Sequence, residues 1–222
     1  MEDKEKIAIK ALDYVKNNTV IGLGTGSTAN YFIKHLAHKI QTENLNIHVV
    51  ASSTASEIQA KNNKLVLLGM DALEGLNLYV DGADEITNSL ERLKGRGYDL
   101  VKEKILAQAA DEFIVVADDS KKVDSIGDKY SIPIEVSMST WRLSKKMLDQ
   151  FGSGELRLNS KRDAYAISSA GNYILDYQFK DKDIKKTHDQ ILTTPGVIET
   201  GIFLNIASKA LIIKDHEIEI IT

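Results

Sequence analysis

Two polar segments of the chain carry carboxylate and ammonium groups of the kind that move protons. The segment DGADEI places Asp81 and Asp84 three residues apart, directly after the strand-like run Leu78–Val80. The segment LKGRGYDLVKEKIL places Lys94 before two glycines and Glu103 in a predicted helix. Two nearby carboxylates can share protons and act on hydroxyl groups, or bind Mg²⁺. These four residues are therefore the first candidates for chemistry.

Each of these candidates also has an ordinary structural interpretation. Asp and Gly favour turns whatever their function, and a single glutamate between two lysines is commonly a solvated acid. The predicted core stripe of the helix that carries Glu103 is Val101, Ile105 and Ala109. At about 100° per residue, Glu103 points well away from that stripe and is free to face a cleft.

A glycine-rich segment, GLGTGST at Gly22–Thr28, stands between a predicted strand and a predicted helix. Its glycines allow close approach of a ligand, and the N–H groups at the helix start can bind an anion. A dinucleotide fingerprint would need glycine where Ser27 stands and an acid after the next strand, and a nucleotide triphosphate loop would end in GK[ST]. The segment therefore predicts either a small anion site or a simple tight turn.

Two further features bear on ligands and cofactors. The segment VVADDSKKV brings Lys121 after another strand-like run, although a solvated lysine is the default. The five histidines form no metal signature, since His35 and His38 share a helix without a partner acid. No cysteine is present, which excludes disulfides, thiolate nucleophiles and zinc–thiolate sites. We expect no metal, nucleotide or other cofactor.

Alternating strands and helices must position these segments. The predicted strands of the first part are Thr19–Gly24, Ile47–Ala51, Leu65–Leu68, Leu78–Val80 and Phe113–Ala117, and its helices include Asp3–Lys16, Ala29–Ile40, Ala55–Asn62 and Val101–Ala110. This alternation predicts an α/β fold with a doubly wound, mostly parallel, Rossmann-like sheet. Ligands of such sheets bind beyond the carboxyl ends of the strands, so we expect the polar segments to share one edge.

The character of the sequence changes beyond about Gly127. Shorter strand-like runs at Glu155–Leu158, Ala164–Ser168 and Tyr173–Tyr177 predict a second, smaller α+β domain. The final strand-like runs, Ala210–Ile213 and Glu217–Ile220, are expected to rejoin the first part. We therefore predict a catalytic domain of residues 1–126, rejoined by 205–222, and a smaller domain of residues 127–204.

Composition excludes several classes of function. The chain has 222 residues, 43% hydrophobic and 27% charged, with a net charge of -4, which disfavours a general nucleic-acid binder. No apolar run approaches the roughly 20 residues of a membrane span, and the charged start MEDKEKIAIK lacks the pattern of a secretory signal. We expect a cytoplasmic enzyme for a small molecule, with neither nucleic acid nor membrane as partner.

Seven motifs in series resemble those of ribose-5-phosphate isomerases of the A type. They are GLGTGST, DGADEI, KGRG with EKI, ADDSKKV, IPIEV, GNYILD and PGVIETGIF, and together they cover nearly the whole chain. The resemblance implies interconversion of ribose 5-phosphate and ribulose 5-phosphate through an enediolate, without a metal. It also suggests homodimers or homotetramers.

Carried over residue by residue, the resemblance assigns roles. Glu103 looks like the base that carries a proton between C2 and C1. Asp81, Asp84 and Lys94 resemble the groups that assist ring opening, move hydroxyl protons and stabilise the developing oxyanion. The positions that look like substrate-binding ones are Lys4, Thr25, Gly26, Ser27, Thr28, Gly82, Ala83, Gly95, Arg96, Gly97 and Lys121.

This chain departs from the family pattern in two places. The usual KGGGAAL reads KGRGYDL, with Arg96, Tyr98 and Asp99 at positions where small residues are expected, and Ser169 and Ala170 replace the usual Asp-Asn before GN. We expect Arg96 to point outwards, the alternatives being a phosphate contact or a narrower cleft. Two other functions remain open at this point: a sugar-phosphate-sensing module without catalysis, and an isomerase or lactonase acting on another sugar phosphate.

Overall fold

A computed structural model describes residues 1–222 and shows an α/β protein made of two compact units. The first unit comprises residues 1–83, 102–121 and 206–222, and the second comprises residues 84–101 and 122–205. The division into a catalytic domain of residues 1–126, rejoined by 205–222, and a smaller domain of residues 127–204 stays a prediction. No helix combines the length and the apolar character that crossing a membrane requires.

Six α-helices and thirteen strands follow one another along the chain. The helices are α1 Asp3–Ala11, α2 Ser27–Glu43, α3 Thr54–Asn62, α4 Leu100–Ala109, α5 Trp141–Leu148 and α6 Ile184–Leu192. The strands are β1 Thr19–Leu23, β2 Ile47–Ala51, β3 Leu76–Asp81, β4 Glu85–Ile86, β5 Arg92–Leu93, β6 Ala110–Asp118, β7 Ile132–Val136, β8 Gly152–Leu156, β9 Tyr173–Phe179, β10 Val197–Thr200, β11 Ile202–Phe203, β12 Lys209–Lys214 and β13 Glu217–Ile221.

The first unit is built on a six-stranded sheet in the order β13-β12-β6-β3-β1-β2. All neighbouring strands are parallel except β12 and β13, which confirms the predicted mostly parallel sheet. From β1 the chain moves outward to β2 and then returns to β3 on the other side. The order therefore reverses between β1 and β3, and ligands of doubly wound sheets bind at such a switch point.

Helix α2 illustrates how the sequence directs this architecture. Its residues Ala29, Phe32, Ile33 and Leu36 recur at helical spacing and are all buried. Of these residues, Phe32, Ile33 and Leu36 join a core that also includes strand residues such as Val80. Packing of this face holds Ser27, the first residue of the helix, within the glycine-rich segment.

The second unit has two sheets of its own. Strands β10, β7, β9 and β8 form an antiparallel sheet, and β11, β5 and β4 form a small one. Strand β7 is buried along its whole length, and its Ile134 packs with Leu93 of β5 in one apolar core. The prediction that this part of the chain forms a smaller α+β unit is confirmed.

Two predicted strands do not form. Residues 65–68 make only a single bridge, between Leu67 and Val49, because Val66 is exposed and the segment lies against the sheet by two backbone hydrogen bonds alone. Residues 164–168 likewise contribute only isolated bridges, from Tyr165 and Ile167. Both of these side chains are exposed, and the buried face of the segment consists of the small residues Ala166 and Ser168.

The stripe predicted for α4 is wrong. Ile105 is 50% exposed and Ala109 is also exposed, whereas Leu106 and Ala107 are buried. The buried face of α4 therefore includes Glu103, which is only 5% exposed, and is not the predicted stripe of Val101, Ile105 and Ala109. Glu103 is not a solvated surface acid.

Candidate active site

The glycine-rich loop and Asp81, the last residue of β3, meet at the switch point of the first unit. One oxygen of Asp81, Oδ1, accepts hydrogen bonds from the backbone N–H groups of Thr25 at 3.0 Å and Gly82 at 2.8 Å. The other oxygen, Oδ2, accepts a bond from the hydroxyl of Tyr79 at 3.0 Å. Asp81 is completely buried, so it ties two loops to the sheet with charge-assisted hydrogen bonds.

Close approach explains one glycine of the loop. A Cβ atom at Gly24 would lie 2.2 Å from Oδ1 of Asp81 and 2.6 Å from its Cα, so only glycine fits opposite this carboxylate. Two residues later Gly26 precedes α2, and no side chain caps the first turn of that helix. The N–H groups of this first turn can therefore bind an anion.

The hydroxyl of Thr25 links the loop to the segment after β2. Its Oγ1 donates to Oγ of Ser53 at 2.6 Å and lies 3.1 Å from Oγ of Ser52. Ser53 also caps α3 in a capping box. Its side-chain oxygen accepts the backbone N–H of Ser56, and the side-chain oxygen of Ser56 accepts the backbone N–H of Ser53. Thr25 is thus held by its backbone at Asp81 and by its side chain at Ser53.

Five other candidates belong to the first unit. Glu103 stands near the start of α4 with its side chain buried, as described above. Lys4 lies in α1 and is exposed, and Lys121 ends a short 3₁₀-helix that follows β6 and is half-buried. The predicted substrate-binding residues Ser27 and Thr28 open α2, where Ser27 is exposed.

The second unit contains the remaining candidates. Lys94 follows β5 and is only 6% exposed, and its backbone N–H donates to the carbonyl of Gly201 at 2.9 Å. Asp84 accepts the backbone N–H of Arg96 on Oδ2 at 3.2 Å, and its own N–H donates to Leu93. The loop of residues 94–97 is therefore tied by its backbone to the segment that carries Asp84.

An arginine that the sequence analysis did not select holds the same loop. Nη1 of Arg157 donates to the carbonyl oxygens of Gly95 at 2.7 Å and Gly97 at 2.6 Å. The other guanidinium nitrogens pair with both oxygens of Asp176, from Nε at 2.9 Å and from Nη2 at 2.5 Å. A bidentate pair of this kind fixes the plane of the guanidinium group, and so the loop after Lys94.

The arginine that departs from the family pattern lies on an aromatic ring. The guanidinium carbon of Arg96 is 3.8 Å from the centroid of Tyr130. The backbone of Tyr130 is held by Glu85, whose buried carboxylate also accepts the N–H groups of Gly127 and Lys129, at distances of 2.6–2.8 Å. Arg96 therefore lies against a segment whose backbone is hydrogen-bonded to Glu85, the third acidic residue of the DGADEI motif.

Sequence reasoning missed the residues that hold the candidates in place. Tyr79 stands two positions before Asp81 on one strand, and residues i and i+2 of a strand share a face, so a signal for this pair was present. Arg157, which follows β8, pairs with Asp176 of β9, and these two residues gave no local signal. No group of three or more His, Asp or Glu side chains is arranged to hold a metal ion.

Comparison with known proteins identifies the family of this chain. The family model of ribose 5-phosphate isomerase A (phosphoriboisomerase A) matches residues 48–217. A ribose-5-phosphate isomerase A from Bacillus mycoides is 38% identical over 204 residues, which cover 91% of each chain. One from Thermococcus kodakarensis is 36% identical over 214 residues, covering 95% of this chain and 93% of the relative.

Solved structures give the same result over nearly the full length. Ribose 5-phosphate isomerase A from Methanocaldococcus jannaschii superposes with a TM-score of 0.93 at 34% identity, covering 98% of this chain and 97% of that one. A D-ribose-5-phosphate isomerase in complex with phospho-erythronic acid also gives 0.93, at 35% identity and with 98% and 96% coverage. The protein described here therefore belongs to the ribose-5-phosphate isomerase A family.

Proposed function

We propose that this protein interconverts D-ribose 5-phosphate and D-ribulose 5-phosphate in the non-oxidative branch of the pentose phosphate pathway. The observation that carries the proposal is the likeness to isomerases of this name along 98% of the chain, at a TM-score of 0.93. A solved relative holds phospho-erythronic acid, which is a small phosphorylated sugar acid. The reaction is an internal transfer of hydrogen, so it needs no external oxidant or reductant.

In the proposed reaction Glu103 is the base. Its carboxylate takes the proton from C2 of the open-chain aldose, and the electron pair of that bond forms the C1–C2 double bond of an enediolate. The negative charge develops on O1, where the ammonium group of Lys94 stabilises it. Glu103 then returns the proton to C1, which gives the ketose. Burial of both side chains supports these roles, since charges act more strongly where water is excluded.

The two aspartates serve the hydroxyl groups. We assign to Asp81 and Asp84 the opening of the sugar ring and the transfer of the O2 proton to O1, which completes the balance of the isomerisation. The proposed substrate contacts are those implied by the family motifs: Lys4, Thr25, Gly26, Ser27, Thr28, Gly82, Ala83, Gly95, Arg96, Gly97 and Lys121. The uncapped first turn of α2 supports an anion contact there.

We further propose a homodimer or homotetramer that works in the cytoplasm without nucleic acid or membrane partners. The net charge of -4 supports the absence of a nucleic-acid partner. Light scattering coupled to size-exclusion chromatography measures the number of copies, and a monomer at micromolar concentration would contradict the proposed assembly.

Turnover of ribose 5-phosphate in the presence of EDTA tests the proposed function. We expect ketose to form at a rate unaffected by the chelator, because the charges that the reaction needs are supplied by the chain. A sensing module would bind the sugar phosphate without forming ketose. An isomerase or lactonase for another sugar phosphate would leave ribose 5-phosphate unchanged, and either result would contradict the proposal.

Replacing Arg157 with methionine tests how far the loop after Lys94 depends on its clamp. We expect kcat to fall by about tenfold or more, because small displacements of a catalytic group cost rate steeply. Arg157→Lys should recover little, since an ammonium group cannot bond two carbonyls and both oxygens of Asp176 in one plane. Steady-state kinetics with ribose 5-phosphate measures both variants.

The matched control is Arg142→Met, which removes an exposed arginine of the same unit that lies over Trp141. We expect its kcat to stay within about twofold of the parent value. Equal losses in Arg142→Met and Arg157→Met would mean that loss of a positive charge, and not release of the loop, lowers the rate.

A further inference from the structure

A tyrosine hydroxyl inside the first unit bonds directly to one of the proposed catalytic carboxylates. Tyr79 lies in β3 and is completely buried, and its hydroxyl donates to Oδ2 of Asp81 at 3.0 Å. The opposite oxygen of the same carboxylate accepts the N–H groups of Thr25 and Gly82. Asp81 thus joins a side chain of the sheet to the backbone of two candidate binding loops.

The ring of Tyr79 has little freedom to move this hydroxyl. In the sheet Tyr79 stands opposite Gly22 of β1, and a Cβ atom at Gly22 would lie 2.6 Å from Cδ2 of the ring. The ring of Phe113 lies 5.0 Å from that of Tyr79, centroid to centroid. Since buried side chains are packed at crystal-like density, the position of the hydroxyl is set by the sheet itself.

The hydrogen bond from the N–H of Thr25 links the position of the Asp81 carboxylate to the glycine-rich loop. The N–H of Thr25 is committed to Asp81, and its hydroxyl is committed to the serines after β2. The next residue, Gly26, leads into the uncapped first turn of α2. A displacement of the Asp81 carboxylate therefore moves the start of the proposed anion site together with Asp81 itself.

We propose that Tyr79 is a positioning residue for the isomerisation: its hydroxyl fixes the carboxylate of Asp81, and through Asp81 the loop that opens α2. The inference deepens the proposed function and rests on it, because the rate is read with ribose 5-phosphate. Tyr79 itself acts through Asp81 and takes no part in proton transfer.

Replacing Tyr79 with phenylalanine is the direct test, since it removes one oxygen atom and leaves the ring. We expect kcat/KM for ribose 5-phosphate to fall about tenfold, as befits loss of a hydrogen bond to a charged group. Tyr177→Phe is the matched control: Tyr177 lies in the second unit, is equally buried and donates its hydroxyl to Asp149 at 2.5 Å. Its kcat/KM should change by less than about twofold.

A double substitution separates positioning from packing. In an Asp81→Asn background the hydroxyl of Tyr79 has already lost the carboxylate, so adding Tyr79→Phe should cost less than about twofold further. A tenfold loss that persists in this background would overturn the proposal, because the hydroxyl would then act other than through Asp81. Parent-like kcat/KM in Tyr79→Phe would overturn it as well.

Amide hydrogen exchange tests the same inference without turnover. The N–H groups of Thr25 and Gly82 should exchange faster in Tyr79→Phe than in the parent protein and in Tyr177→Phe. Unchanged exchange at both amides would overturn the proposal. If the parent protein fails to isomerise ribose 5-phosphate, the proposed function fails, and the exchange result still decides whether Tyr79 positions the loop.

Discussion

Replacing Glu103 with glutamine is expected to lower kcat for ribose 5-phosphate by about 10²–10⁴-fold, the usual contribution of a general base. The amide has nearly the shape of the carboxylate but cannot take a proton from carbon. Substrate binding should be kept, so KM should change far less than kcat. Exchange of the C2 hydrogen with deuterium from the solvent, followed by NMR, should disappear with the activity.

The burial of Glu103 requires a control for folding. Glu57→Gln makes the same chemical change on α3, where Glu57 is half-buried and pairs with Lys61. We expect this variant to retain the parent kcat, and both variants should unfold at temperatures close to that of the parent protein. A near-normal kcat in Glu103→Gln would remove Glu103 from the role of base.

The architecture of the first unit follows from local patterns that the sequence displays. Helix α2 shows one apolar stripe at helical spacing, and β1 and β3 contain the apolar runs Val20–Leu23 and Leu78–Val80, as expected for buried strands. Each pattern has one reasonable interpretation. The alternation of such elements then restricts the fold to a doubly wound sheet, and the switch point places the loops after β1 and β3 together.

Helix α4 shows where such patterns fail. Apolar residues occupy several sides of this ten-residue helix, including Leu100, Val101, Ile105 and Leu106, so periodicity alone does not select the buried face. The structure buries Leu106 and Glu103 and exposes Ile105. The choice depends on what the rest of the chain packs against the helix, and that information is not local.

The candidate site was likewise only partly predictable from the sequence. Motif order and spacing pointed to the four ionisable residues, but the hydrogen bonds that hold them join positions far apart in the chain. Arg157 bonds to Gly95 and Gly97 over about sixty intervening residues, and Asp81 bonds to Thr25 over more than fifty. Hydrogen bonds of this kind depend on tertiary geometry, so a single sequence cannot reveal them.

Replacing Lys94 with methionine is expected to lower kcat by about 10²–10³-fold, the usual effect of removing one donor from an oxyanion site. Methionine has a similar length and suits a side chain that is only 6% exposed, so the fold should tolerate it. The loss should appear in kcat, because the negative charge on O1 develops after the substrate has bound. Steady-state kinetics with ribose 5-phosphate provides the measurement.

A charge-preserving variant shows whether the charge alone or its position matters. Lys94→Arg keeps the positive charge but spreads it over a larger planar group, so we expect it to recover only part of the lost rate. Lys186→Met is the control, since Lys186 is an exposed lysine of the same unit that pairs with Asp181. Full activity in Lys94→Arg would mean that a positive charge near this position is sufficient. Full activity in Lys94→Met would contradict the role of Lys94. Methionine has no positive charge, so another group would have to stabilise the negative charge on O1 of the enediolate.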